Sequence, residues 1–358
     1  MSKSATVLKI NILVAPLNWG LGHATRCIPI IQALLKLGFN PIIASDGMAL
    51  LLLQKEFPKL KCLELPSYKI EYPEKESDFK YKMLQNIPEI IDAMLAEKKL
   101  VKKWVSEYNL KGIISDSRFG AYSKKVPSVF ITHQLNVLSG NTSWLTGKVQ
   151  RLIIKKFDEC WIPDSEAKPN LSGKLGHLKN PSDSVKYLGP LSRMVKKKVP
   201  QKYNLMVLLS GPEPQRSLLE EILTSELKSY TGSIIFVRGV VQEERTIVEA
   251  DNCTYYNFMT SEELERNINE SDLLICRSGY TTIMDLAKLQ KKALLIPTPG
   301  QYEQEYLAKR LHKKEMLPFA KQENFSISDL EKVENFNGLP EIKEEVNWKQ
   351  LFCLFEGE

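Results

Sequence analysis

The sequence predicts an α/β protein made of two consecutive doubly wound domains that face each other across a cleft. Three observations lead there. The chain has 358 residues, beyond the roughly 250–300 at which a single core stops growing. Short β-branched runs alternate with helical stretches, as a parallel sheet wrapped by helices requires. The alternation pauses once, at the polar Val195-Lys196-Lys197-Lys198-Val199-Pro200-Gln201-Lys202, and then restarts. The expected boundaries are 1–198 for the first domain, 199–340 for the second and 341–358 for a tail.

The first domain opens with Val7-Leu8-Lys9-Ile10-Asn11-Ile12-Leu13-Val14-Ala15, an apolar run suited to a strand buried on both faces. A glycine-rich turn follows, Asn18-Trp19-Gly20-Leu21-Gly22-His23, and then a helix over 27–37 closed by Gly38. Thr25 is expected to cap that helix, with Pro29 in or just past its first turn, where a missing N–H costs little. Further strands are expected at 41–45, 61–65, 112–115, 128–132 and 160–163, with helices between them.

In the second domain the expected strands are 205–209, 234–238, 254–258, 272–276 and 293–297. Helices are expected from Ser217, over 281–289 and over 302–311, with Thr260 and Glu263 forming a capping box ahead of another. The tail holds two apolar-aromatic clusters within 342–355 and is expected to pack back on the first domain. Two such domains leave a cleft at the carboxyl ends of their strands, where doubly wound folds bind ligands.

Composition narrows the class. The hydrophobic share of 43% and charged share of 26% exclude a largely disordered chain. The longest strongly apolar run, 48–53, is far short of the about 20 residues that span a bilayer. The first residues carry no signal-peptide core, so the expected location is the cytoplasm. Six scattered cysteines, with no Cys-x-x-Cys pair, read as small buried residues in a reducing compartment and not as a zinc site. The net charge of +6 conceals an asymmetry: residues 1–199 hold 31 Lys+Arg against 17 Asp+Glu, and the remainder carries a net −8. A basic half suits nucleic acid, an anionic membrane surface or an anionic substrate. No nucleic-acid motif or aromatic-basic interleaving supports the first of these.

Four stretches can carry chemistry. The turn bearing Gly20, Gly22 and His23 brings backbone N–H groups and a helix N-terminus toward a ligand. As a dinucleotide fingerprint it is incomplete, because Thr25 stands where the third Gly belongs, although Asp46 suits a ribose-binding acid. A tight turn without a ligand is the plain alternative. His23 at a cleft mouth is a candidate general base, with an ordinary imidazole pKa of about 6.5. In Cys276-Arg277-Ser278-Gly279-Tyr280-Thr281-Thr282-Ile283-Met284-Asp285 a strand ends, a Ser-Gly turn follows and a helix begins. Such a helix start suits a diphosphate, and Asp285 one turn on suits a ribose diol. A capped helix of no further significance has the same pattern. The loop Pro297-Thr298-Pro299-Gly300-Gln301-Tyr302-Glu303-Gln304-Glu305 offers amides and carboxylates to sugar hydroxyls, or is a solvated helix start. Ser210-Gly211-Pro212-Glu213-Pro214-Gln215-Arg216 offers Arg216 to a phosphate, on a stiffer turn than a typical phosphate cradle.

In this order, the four stretches resemble the GT-B glycosyltransferases, and among them the family 28 or MurG-like enzymes. The likeness is strongest at Cys276-Arg277-Ser278-Gly279, Thr282, Asp285, Pro297 and Gln304, over about fifty residues of the second domain. Family members carry Glu where this chain has Asp285, and paired Gln where it has Gln304-Glu305. Gly20-Leu21-Gly22-His23 is similar to the family's Gly-rich loop, and Thr132-His133-Gln134-Leu135-Asn136 to its acceptor stretch. Gly189-Pro190-Leu191-Ser192-Arg193 is similar to the segment closing its first domain. The longer spacing from His23 to Pro29 argues against the peptidoglycan acceptor.

The resemblance implies two Rossmann-like domains and metal-independent, inverting transfer from a nucleotide sugar, with UDP as the expected nucleotide. The donor is a substrate, and no cofactor or metal is expected. Donor-binding candidates are Ser210, Arg216, Arg277, Ser278, Gly279, Thr282, Asp285, Gln301, Gln304 and Glu305; acceptor-side candidates are Gly20, Gly22 and Asn136. His23 is the first candidate base, and Asp116, ending a strand in Ser115-Asp116-Ser117-Arg118, the second; a turn-capping role is the plain reading of Asp116. The acceptor is expected to be a glycan or lipid-linked molecule. Residues 144–157 combine an apolar stripe with Lys148, Arg151, Lys155 and Lys156, which suits peripheral contact with anionic lipid or a domain helix with a solvated basic face. An epimerase of the same fold and a non-catalytic nucleotide-sugar-binding subunit are the alternative functions.

Overall fold

A computed structural model describes residues 9–68, 86–137 and 143–357. In the first half, β1 (Asn11–Pro16) leads into α1 (Leu21–Lys36), β2 (Asn40–Ser45), α2 (Gly47–Glu56), β3 (Cys62–Glu64) and α3 (Ile87–Glu107). It continues through β4 (Leu110–Asp116), β5 (Ser128–Ile131), α4 (Ser143–Ile154), β6 (Glu159–Ile162) and β7 (Val185–Tyr187). The second half runs β8 (Tyr203–Leu208), α5 (Gln215–Glu226), β9 (Ile234–Val237), β10 (Ile247–Ala250), β11 (Cys253–Tyr256) and α6 (Ser261–Asn269). It then forms β12 (Ser271–Cys276), α7 (Tyr280–Leu289), β13 (Lys292–Leu295), α8 (Tyr302–Lys313) and the short α9 (Trp348–Phe352).

The strands form two sheets. The first has the order β3-β2-β1-β4-β5-β6-β7, with its neighbours paired in parallel. The second has the order β10-β11-β9-β8-β12-β13 and is parallel apart from the antiparallel edge pair β10–β11. Ile12, Leu13, Val14 and Ala15 of β1 are all fully buried, as a strand covered by helices on both faces must be. In each sheet the strand order reverses direction beside the first strand, at β1/β4 and at β8/β12. These two switch points are the ligand-binding positions of doubly wound folds, and they set the floor of the cleft.

Three local expectations are corrected. Helix α1 begins at Leu21, straight after Gly20, which takes the left-handed φ of 77°. Thr25 therefore lies inside the helix, its hydroxyl donating to Gly22 O at 3.1 Å, and Pro29 is an interior residue. The glycine turn, not Thr25, starts the helix. Thr260 precedes α6 without a side-chain cap, because Glu263 is drawn instead to the guanidinium of Arg245. Edge strands β7 and β10 lack a strong apolar signal and were not anticipated; every residue of β10 is exposed.

The chain crosses between the halves twice. Residues 195–202 run along α6, with Val195 N donating to Glu265 at 2.8 Å and Lys197 N to Asn269 at 2.9 Å. The tail then returns to the first sheet. Phe352 packs edge-on to Phe39 at 5.7 Å and lies 6.3 Å from Trp161, and Phe355 covers Gly112. Of the basic stretch 144–157, the side chains of 144–146, 148 and 149 lie outside the described residues, as does the start of the opening run at 7–8. Leu152 is exposed, whereas Ile154 and Phe157 are buried against Phe130. No helix among the described residues is long and apolar enough to cross a membrane.

Candidate active site at the interdomain cleft

The first switch point assembles a histidine–carboxylate pair. His23 lies in the first turn of α1, and Asp116 is the last residue of β4. His23 Nδ1 is 2.8 Å from Asp116 Oδ1. Arg26, one helical turn on, places Nη2 2.8 Å from the same nitrogen and also binds both carboxylate oxygens of Asp116. A guanidinium only donates, and the carboxylate is the stronger acceptor. The proton therefore sits on His23 Nδ1 and points at Asp116, leaving a lone pair on Nε2. The His23 side chain retains 16% exposure while Asp116 has none.

Electrostatics fit a neutral base. Burial, then the charge of Arg26, lower the His23 pKa below its ordinary value, against the pull of Asp116. For Asp116, burial alone would raise the pKa, but Arg26 and His23 outweigh it and hold the carboxyl far below the carboxylate range. Asp116 is fully buried and ionised, with its oxygens committed to Arg26, His23 and, at 3.7 Å, the Cys27 thiol, which leaves it poorly placed for the second-base role expected of it.

The second switch point faces this pair at close range. Thr281 in the first turn of α7 donates to Gly22 O at 3.0 Å, and a Cβ at Gly22 would come within 3.1 Å of the Thr281 hydroxyl. Glycine at 22 is what lets the two helix starts approach. Beyond them, His133 after β5 stacks on Tyr280 of α7 at 4.4 Å, and its Nε2 lies 2.8 Å from Glu303 of α8. Gln134 also bonds Glu303. Burial would raise the Glu303 carboxyl, but His133, Arg26 and His23 opposite hold it below its ordinary value.

The donor-side candidates divide. Gly279 precedes α7, where a Cβ would make only an ordinary contact with the half-buried Thr282 hydroxyl at 3.9 Å. Asp285, one turn into α7, accepts from Ser192 Oγ at 2.6 Å; burial pushes its carboxyl up to about 6 despite Arg193 and Ser192 nearby. Ser278 and Gln304 brace the loop from within: Ser278 Oγ donates to Gln304 O at 2.9 Å, and the Gln304 side chain accepts from Thr298 N at 2.9 Å. Glu305 accepts from Gly300 N at 3.2 Å and pairs with Lys309. Gln301 Oε1 and Thr298 Oγ1 are buried without a hydrogen-bond partner among the described residues, as are Nε and Nη1 of Arg193, the latter 3.8 Å from a Glu56 oxygen. Such atoms cost roughly 1–3 kcal/mol each unless something completes them. Ser210 is half-buried beside Gly211, whose φ of 111° opens the turn after β8.

Three candidates are placed otherwise. Arg216 does not await a phosphate: Glu213 and Glu220, each 2.6 Å away, already neutralise it. Arg277 is buried and donates from Nη1 and Nη2 to the carbonyls of Ile296, Pro297 and Gln215, so these groups fasten the turn. Burial without a carboxylate lowers its pKa to about 9. Asn136 donates to the carbonyls of Lys174 and His177 at 2.7 and 3.1 Å, tying down a loop instead of offering its amide to an acceptor. Asp46, the ribose acid of a dinucleotide reading, is occupied by Arg118 and Asn18. Residues absent from the sequence-based candidates are Arg26, Glu303 and Arg193. Arg26 was detectable three residues after His23 on one helix face.

Known proteins share parts of this sequence and its fold. Residues 213–335 match the glycosyltransferase family 28 C-terminal domain. The second half of the chain thus carries that family's C-terminal domain. Among its relatives is the UDP-N-acetylglucosamine–N-acetylmuramyl-(pentapeptide) pyrophosphoryl-undecaprenol N-acetylglucosamine transferase of Haemophilus ducreyi, 24% identical over 61% of this chain. The match spans 60% of that relative's length. An uncharacterized glycosyltransferase of Methanopyrus kandleri is 23% identical over 78% of this chain and 83% of its own. Among solved structures, the glycosyltransferase SnogD from Streptomyces nogalater superposes with a TM-score of 0.62 at 13% identity, covering 97% of this chain and 100% of its own. The last likeness shows the GT-B fold of the chain.

Proposed function

We propose that the chain transfers a sugar from a nucleotide sugar to an acceptor hydroxyl by a single inverting displacement. One observation carries this reading: an Asp116-oriented, neutral His23 lies at the first switch point, directly across from the N-terminus of α7. His23 Nε2 takes the acceptor's hydroxyl proton as its oxygen attacks the anomeric carbon. The bond from that carbon to the diphosphate breaks, and the nucleoside diphosphate leaves with the bonding pair. The free N–H groups of α7 offset that charge in this reading, supported by the Arg193 cation, which lies 3.8 Å from Glu56. Asp285 is the residue we assign to the ribose, and Gln301, with its unpartnered carbonyl oxygen, to a donor hydroxyl.

The printed name of the Haemophilus relative specifies a UDP sugar and an undecaprenol-linked acceptor. We extend from it the donor class, with UDP as the nucleotide, and an acceptor that is lipid-linked or part of a cell-envelope glycan. The basic first domain and its exposed Ile87, Ile91 and Leu95, spaced one turn apart on α3, support a chain that works in the cytoplasm against an anionic membrane surface. The test is incubation with a panel of nucleotide sugars with and without lipid-linked acceptors, reading free nucleotide. Acceptor-dependent release is expected, and His23→Ala should lower it by about 10²-fold or more. Interconversion of sugars without net release would replace the transferase reading by an epimerase, and binding without turnover by a non-catalytic subunit.

A further inference from the structure

His133 is gripped from three sides, and two of them belong to the second domain. Tyr280 of α7 lies parallel to its ring at 4.4 Å, and Glu303 of α8 meets Nε2 at 2.8 Å. On the remaining side, Arg26 Nη1 of α1 is 3.0 Å from Nδ1. The charged and titratable groups facing it are Arg26, with Asp116 and His23 behind, then Tyr280 and Glu303. Only one protonation pattern satisfies these contacts. Arg26 has nothing but donors, so His133 Nδ1 must accept; the ring proton is then on Nε2, where the Glu303 carboxylate takes it. With Nη1 so engaged, Arg26 turns its Nε and Nη2 to Asp116, and Asp116 takes the Nδ1 proton of His23. Donors and acceptors alternate from Glu303 through His133, Arg26 and Asp116 to His23, and the one like-facing contact is Arg26 Nη2 at 2.8 Å from the His23 Nδ1 that Asp116 holds protonated.

We infer that His133 is a positioning residue through which Glu303 of the second domain holds His23 in its Nδ1-protonated tautomer. The base on one domain is thereby set when the other domain is closed against it. The catalytic meaning rests on the function proposed above, but the tautomer relation does not.

The experiment therefore avoids turnover. The chain has four histidines, at 23, 133, 177 and 312, so long-range proton–nitrogen NMR of the full chain with ¹⁵N-histidine resolves each ring. The wild type should show His23 protonated on Nδ1 and His133 on Nε2. In Glu303→Ala both should become tautomer mixtures, and the His23 titration midpoint should fall because a nearby negative charge is gone. Glu303→Gln, which keeps an acceptor oxygen without the charge, should restore the tautomers but not the midpoint. His177 and His312 unchanged will show that the fold survives. If they move as well, His133→Ala decides instead, with loss of the single His23 tautomer expected. A His23 that keeps its tautomer and midpoint in these variants overturns the inference. Failure to transfer any sugar would count against the proposed function and leave these spectra as they are.

Discussion

At the scale of single residues, the cleft depends on a buried ion pair whose halves have different duties. Asp116→Asn keeps the shape but can present an N–H to His23, forcing the wrong tautomer; acceptor-dependent nucleotide release should fall by about 10²–10⁴-fold. Asp116→Ala should in addition destabilise the chain by about 3–5 kcal/mol, because Arg26 is left buried and unpaired; denaturant unfolding measures it. The lowered His23 pKa means that the acid limb of kcat/KM should fall below pH 6.5, the ordinary imidazole value. Asp285 behaves oppositely. Its folded pKa of about 6 exceeds the ordinary 3.8, so its contribution to stability is present below about pH 4 and is lost as pH rises through 6. Asp285→Asn should gain stability over the wild type at pH 7.5, on the order of 2–3 kcal/mol, and gain none at pH 3.5. Donor binding should weaken in the same variant. His23 and Asp116 were legible in the sequence because a glycine turn and a strand end mark cleft positions. Glu303 was not, since its partner is 170 residues away and nothing local signals a pairing of that separation.

At the scale of elements, glycines decide which surfaces meet. A side chain at Gly22 presses on Thr281, so Gly22→Val should hold α1 and α7 apart and lower turnover while the separate sheets persist, as hydrogen exchange would show. At Gly112 a Cβ would collide with the Phe355 ring; Gly112→Ala should release α9 and expose the tail to limited proteolysis. The central strands, such as β1 and β5, were readable because both faces of each are apolar and buried. The start of α1 was misread because Thr25 and Pro29 imitate a helix start, whereas Gly20 supplies it. The donor-side arginines were misread for a different reason. Arg216 and Arg277 have the right type and place, but their partners, Glu213, Glu220 and three carbonyls, are fixed only by the fold.

At the scale of the molecule, the charge asymmetry gains a location. The helix carrying His23 belongs to the basic half and the helix facing it to the acidic half. Vesicles of acidic lipid should retain the chain at low salt and release it as salt is raised, whereas neutral vesicles should not retain it. Equal retention by both would leave apolar contact as the cause and remove the electrostatic argument for an anionic acceptor.

The two crossings between domains have a mechanical consequence. Gly189, just before the first, lies against Glu344 of the returning tail. A single tether would let one domain swivel freely about its own axis; two strands of chain passing side by side resist torsion and leave bending as the soft motion. Opening the cleft should thus be a one-dimensional rocking, and each return stroke should bring Glu303 back to the same partner.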